Sequence, residues 1–274
     1  MFTKKQIIGT SVFFIIFYVC FLASFFYLRR DNPLEFIDLY NMHYLFALNA
    51  AFFLGGITAF FAIKKPDLPK VVKQSLVLLG VGSFCMGLGF LSWLTLEVGL
   101  GESELYPSIA DFFYVAFVPI VVIGLLNLLR IFSFALTKKT ISKSILWVAI
   151  ASFLTIQFGI FSLPEISEDS TLAVTLFDTF YAFTDIVLIA IVVLALSIAG
   201  GKIFKGMLIY LFGLGFNVVA DLVFFYRIEA GTHAIADIAD HIYFLSACVM
   251  SAGIYLIAKN FIHPEESAKA QITQ

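Results

Sequence analysis

The sequence predicts an all-α fold: a polytopic membrane bundle of eight transmembrane helices, built from four repeated helical hairpins, with both termini on the cytoplasmic side. Three observations carry this. The 274-residue chain is 61% hydrophobic and 13% charged, with a mean hydropathy of +0.99, where soluble domains lie nearer 45–50% apolar and about 25% charged. Eight stretches reach the ~20 mainly apolar residues that a spanning helix needs. When those stretches alternate in direction, the basic residues sort to one face of the membrane.

The first span, 6–28, follows Lys4 and Lys5. Its apolar run is too long for the hydrophobic region of a signal peptide and lacks a small-residue cleavage site, so it reads as a retained helix. The second, 42–63, stops at Lys64 and Lys65. The third, 74–97, follows Lys70 and Lys73 and carries Gly87-Leu88-Gly89-Phe90 and Trp93. The fourth, 110–130, opens after Tyr106-Pro107-Ser108 and contains Pro119, whose missing N–H removes a helix hydrogen bond and predicts a kink. The fifth, 144–163, follows Lys138, Lys139 and Lys143. The sixth is 173–199. The seventh, 206–226, repeats the small-residue pattern as Gly213-Leu214-Gly215-Phe216, which suits close approach of neighbouring helices. The eighth, 237–259, ends at Lys259. The hairpins are then about 6–63, 74–130, 144–199 and 206–259, all within one domain, 1–262. The tail, 263–274, is too short to fold alone.

Alternation places fourteen Lys and Arg residues on the face shared by the termini and leaves only Arg29, Arg30 and Arg227 on the other. That asymmetry puts both termini in the cytoplasm of a cell membrane. The net charge of −2 offers no nucleic-acid footprint. Cys20, Cys85 and Cys248 lie apart inside apolar runs, as buried thiols do. No Gly-x-Ser-x-Gly elbow, phosphate-binding loop or dinucleotide fingerprint occurs. The chain therefore reads as a non-enzyme, and nothing in it names a cofactor.

The polar residues follow a pattern. Asp111 precedes Tyr114 by three residues, Asp178 precedes Tyr181, Asp240 precedes Tyr243, and Asn41 precedes Tyr44 as a weaker copy. All four pairs fall near the outer ends of the even-numbered spans. Ser108 and Asp111 have the spacing of a helix capping box, and a carboxylate there meets the positive end of the helix dipole. Asp178 and Asp185 are seven residues apart and share a helix face, as do Asn217 and Asp221, four apart. Asp185 lies about twelve residues into its span, near the middle of a ~30 Å hydrocarbon layer. A charge at that depth costs about 2.5–3.5 kcal/mol on insertion scales, which makes it a functional candidate. The candidate ligand-binding set is Asp111, Tyr114, Asp178, Tyr181, Asp185, Asp221, Asp240 and Tyr243. His43, Asp237 and His241 form an alternative metal set, although no zinc motif is present.

Gly87-Leu88-Gly89-Phe90-Leu91-Ser92-Trp93 followed by Tyr106-Pro107-Ser108-Ile109-Ala110-Asp111-Phe112-Phe113-Tyr114 resembles the multi-helix membrane sensory regions of bacterial and archaeal histidine kinases and diguanylate cyclases. Their Pro-Ser-x-Ala-Asp-x-x-Tyr run follows a Gly-rich, Trp-containing helix. The resemblance covers roughly residues 80–130, with a looser echo at Gly213–Phe216, Asp221, Asp240 and Tyr243. It implies a sensor-like role. Those proteins carry cytoplasmic output domains and this chain has none, so the resemblance further implies a separate membrane or cytoplasmic signalling partner.

Three functions follow as expectations. A sensor or accessory signalling module would take a small polar or cationic ligand in an outward-open cavity lined by Asp178, Asp221 and Asp240; a bundle closed at its outer side, with these groups paired to each other, would sink it. A proton- or cation-coupled transporter would use the intramembrane carboxylates. A metal-dependent membrane hydrolase would use His43, Asp237 and His241.

Overall fold

The computed structural model describes residues 37–96, 106–130, 172–198, 202–232 and 237–262, with isolated positions at 19, 142, 145, 146, 149, 150 and 153. Six helices appear there: α1 (Ile37–Ala62), α2 (Lys70–Leu94), α3 (Ile109–Leu129), α4 (Leu172–Ile198), α5 (Lys202–Glu229) and α6 (Ile238–Ile262). They match the second, third, fourth, sixth, seventh and eighth predicted spans. All six are long and apolar enough to cross a membrane. The predicted spans 6–28 and 144–163 lie outside the described residues, as does the tail, 263–274.

The helices pack in a ring in chain order. Each touches the next, α6 returns to α1, and a smaller contact joins α2 to α6 across the middle. Direction follows from which residues meet. Phe53 of α1 lies on Gly87 of α2 and Gly56 on Phe84, an antiparallel register. Gly89 meets Tyr114 of α3, and Gly82 meets Val121, again antiparallel. Gly206, Gly213 and Gly253 pin α5 antiparallel to α6 through Ile257, Met250 and Tyr210. Two pairs run parallel. Tyr44 of α1 reaches the start of α6, and Tyr181 of α4 reaches the start of α3. These courses agree with the predicted alternation.

Close approach has a sequence cause at each seam. A Cβ on Gly253 would lie 2.6 Å from the Tyr210 backbone nitrogen. On Gly206 it would lie 2.6 Å from the nitrogen of Ile257. Without side chains there, backbones touch and dispersion contacts accumulate, which is how helices associate where no hydrophobic difference drives them. Fully buried Tyr44, Phe52, Phe117, Tyr210 and Phe244 fill the interior. Phe46, Phe61, Phe112, Leu172, Leu176, Phe183 and Phe212 face outward, as suits contact with lipid.

The ends of the bundle differ. One carries Lys64, Lys65, Lys70, Lys73, Arg130, Lys205 and Lys259 around the turns and helix termini. The other carries the aspartates and tyrosines described below. At this acidic end Gly231, with φ of 61°, closes α5 by letting Gly231 N donate to Ile228 O and Thr232 N to Arg227 O.

Candidate functional site

The entrance to α3 is built as the spacing predicts. Ser108 is extended and caps the helix: its Oγ accepts from Ala110 N at 3.2 Å, and its own N–H donates to Asp111 Oδ2 at 2.6 Å. Asp111 thus gives one oxygen to its own helix start. The other accepts from the Tyr181 hydroxyl of α4 at 2.6 Å. Ser108→Ala removes one partner of this box, and thermal denaturation in detergent is expected to show a loss of about 1 kcal/mol.

Tyr181 therefore bonds to the aspartate of another Asp-x-x-Tyr pair and not to its own. The same holds at the second parallel seam, where the Tyr44 hydroxyl donates to the Asp240 backbone oxygen at 2.9 Å. Helical geometry explains this. Residues three apart lie on one face but point outward together, so each finds its partner on the neighbouring helix.

Deeper in the ring the polar groups continue. Tyr243 of α6 donates to Asp221 Oδ1 of α5 in a short bond. Asn217, one turn along α5, donates from Nδ2 to Asp221 Oδ2 at 3.0 Å. Asp185 of α4 lies against Asp221, carboxyl to carboxyl. Asp185 is 5% exposed, Asp240 4% and Asp111 7%. Tyr114 of α3 sits between these layers, with Asp111, Asp240 and Asp221 as its charged neighbours, and its hydroxyl bonds to none of them. Its ring meets Phe90 edge-on at 5.3 Å, and Phe90 meets Tyr243 in the same way at 5.3 Å. Tyr114 and Asp221 lie within the ring, and each keeps part of its surface uncovered.

Asp111, Tyr114, Tyr181, Asp185, Asp221, Asp240 and Tyr243 thus come together from four helices. Asp178 stands apart at the rim, where Tyr106 donates to its Oδ1 at 2.5 Å. Burial first, and then that hydrogen bond, push the Tyr106 hydroxyl well above its ordinary value, so it stays a donor. Asp178, expected to line an outward-open cavity with Asp221 and Asp240, therefore stands outside the acid–phenol core that those two join. Tyr106 and Asn217 belong to this core and its rim but were not in the sequence-derived set. The four-residue spacing of Asn217 and Asp221 was the available signal for the amide. Nothing in the spacing pointed to Tyr106.

The metal alternative gathers little support. Asp237 caps α6 through Ala239 N at 2.8 Å and holds Arg227 Nε at 2.9 Å. His241 packs its ring against Tyr44. The side chain of His43 lies outside the described residues. Among the described residues no three His, Cys, Asp or Glu side chains gather as a metal site requires. Arg227→Gln uncovers Asp237 and frees the Thr232 carbonyl that Arg227 Nη2 also holds. It is expected to loosen the α5–α6 turn, read as faster amide exchange in residues 227–240.

The fold and site define an integral, multi-pass membrane protein with a buried polar core at one end. Comparison of the chain with protein families, with curated proteins and with solved structures found no match.

Proposed function

We propose that the chain is a sensor-like or accessory signalling module of the cell membrane whose acid–phenol core takes up a small cation. The acidic end faces outward in this reading, because the opposite end carries the lysines. The observation that carries it is an imbalance of charge. Asp111, Asp185 and Asp221 come from three helices, and among the described residues their partners are hydroxyls, an amide and one another, with no base. Buried carboxylates without a basic partner call for protons or a bound cation. The faces of Tyr114, Phe90 and Tyr243 add the aromatic surface that favours an organic cation. Occupancy would shift the packing of α3, α4, α5 and α6, and a separate membrane or cytoplasmic partner would read that shift. The resemblance to kinase and cyclase sensory regions, carried by Asp111 and Tyr114, points the same way.

Tetramethylammonium chloride is a suitable probe. It is expected to raise the thermal stability of purified protein above that in N-methylglucamine chloride of equal ionic strength. Tyr114→Phe removes a hydroxyl with no partner among the described residues, so stability without the probe should change by less than about 0.5 kcal/mol. The probe's effect should fall. Equal stability in both salts, with no effect of alkali chlorides either, would remove the basis of the reading.

A second reading is proton- or cation-coupled transport. It is favoured by the depth of the Asp185–Asp221 pair and by the fully buried Tyr210 hydroxyl, which lacks a partner on the same α5 face towards the basic end. Proteoliposomes in which Asp185→Asn leaves every ion and solute flux unchanged would rule it out.

A further inference from the structure

Asn217 is the residue least accounted for by packing. It is 4% exposed; Nδ2 is held by Asp221, and Oδ1 has no partner among the described residues. A buried acceptor left unpaired costs about 1–3 kcal/mol. Exchanging the two ends of the amide gives no relief, since it would set oxygen against the Asp221 carboxylate and leave the NH2 unpaired instead. The open atom is thus an oxygen, on an amide that lies against a carboxyl.

Apart from Asn217 Nδ2, the neighbouring side chains among the described residues present oxygen. Asp185 and Asp221 lie carboxyl to carboxyl with no basic partner among the described residues, an arrangement that calls for one proton between them, because an ionised carboxylate only accepts. Tyr243 from α6 lies by both carboxyls and Tyr114 from α3 lies by Asp221, while Asp111 and Asp240 stand on the far side of Tyr114. Among the described residues no lysine, arginine or histidine pairs with Asp185 or Asp221.

We infer that Asp185, Asp221 and Asn217 Oδ1 form a site for one alkali cation, which enters by displacing the proton shared between the two carboxyls. This rests on the reading of the core as a cation site and specifies its deepest part. Hard oxygen donors of this kind select hard cations over transition metals. Charge selects the valence. Exchanging a proton for a singly charged ion leaves the buried cluster's net charge unchanged, whereas a divalent ion adds a charge. The displaced proton leaves to bulk water, one for each ion bound. Binding therefore tightens as pH rises, because fewer protons compete.

The test uses the full chain in nanodiscs at constant ionic strength. Sodium or potassium chloride, in place of N-methylglucamine chloride, is expected to raise Tm by at least about 2 °C at pH 8, and by less at pH 6. Adding the ion to weakly buffered protein should release about one proton per chain, seen with an indicator dye. Asp221→Asn and the gentler Asn217→Ser should each lose the ion-dependent rise, with retained helical content showing that they fold. Asp67→Asn, at an exposed turn of the basic end, should keep it. The inference is overturned if alkali salts match N-methylglucamine, if only calcium or magnesium stabilises, or if Asp221→Asn retains the full response. Stabilisation by tetramethylammonium without any alkali effect overturns this inference alone. Absence of both effects overturns it together with the reading it rests on.

Discussion

Gly253→Val is expected to abolish the folded bundle or to lower its stability by at least about 3 kcal/mol. A Cβ at Gly253 would lie 2.6 Å from Tyr210 N, 2.7 Å from Tyr210 Cα and 2.7 Å from its Cβ. These atoms are mostly backbone and cannot swing away, so α5 and α6 must separate. Overpacking a core that can adjust costs about 1–3 kcal/mol. Here the shift also parts Gly206 from Ile257 and Gly213 from Met250, along the most extensive seam in the ring. Ser246 Oγ, which donates to the Gly213 oxygen at 2.8 Å, would lose its partner as well. The check is SDS or thermal denaturation of the variant beside Gly215→Val. Gly215 has nothing within 4 Å of where its Cβ would stand, so that variant should stay near wild type.

Asp185→Asn and Asp221→Leu are expected to move stability in opposite directions. Asn at 185 can donate its NH2 to Asp221, which removes one buried acid while keeping the hydrogen bond, so a gain of about 1 kcal/mol is expected. Leu at 221 strips the partner from the Tyr243 hydroxyl and from Asn217 Nδ2 at once. Each orphaned donor costs about 1–3 kcal/mol, so a loss of about 2–6 kcal/mol follows. Intramembrane hydrogen bonds average nearer 0.6 kcal/mol when an unfolded helix finds other partners, which places the result towards the lower end. A stabilising Asp185→Asn would mark a residue kept for function at the expense of stability. Chemical denaturation of the two variants and the wild type at pH 7 measures both effects.

Much of the scaffold was readable in the sequence. Composition and run length defined membrane helices, and basic residues at one set of ends set their alternation. The Ser108–Asp111 spacing announced the helix start that the fold contains, because a capping box is local chemistry. Lateral pairing was not readable. Asp178 and Asp185 share a face, yet they lie about 10 Å apart along the axis. One meets Tyr106 at the rim and the other meets Asp221 across α5. Sequence spacing fixes depth and face, whereas the partner depends on which helix stands beside that face. Tyr181 shows the same limit, since its bond to Asp111 links positions seventy residues apart. Gly89 carried a clearer message than its motif suggested: it lies under the Tyr114 ring and so helps seat that hydroxyl among the acids.

The claim that the acid–phenol core is a cation site, and more than a packing device, meets its most direct test in calorimetric titration of nanodisc-embedded protein with tetramethylammonium and with alkali chlorides. Saturable binding at one or two sites per chain is predicted for the wild type. Weakened organic-cation binding is predicted for Tyr114→Phe, and no alkali binding for Asp221→Asn. Heats no different from dilution for every cation would contradict the claim and leave the core a structural tie between helices.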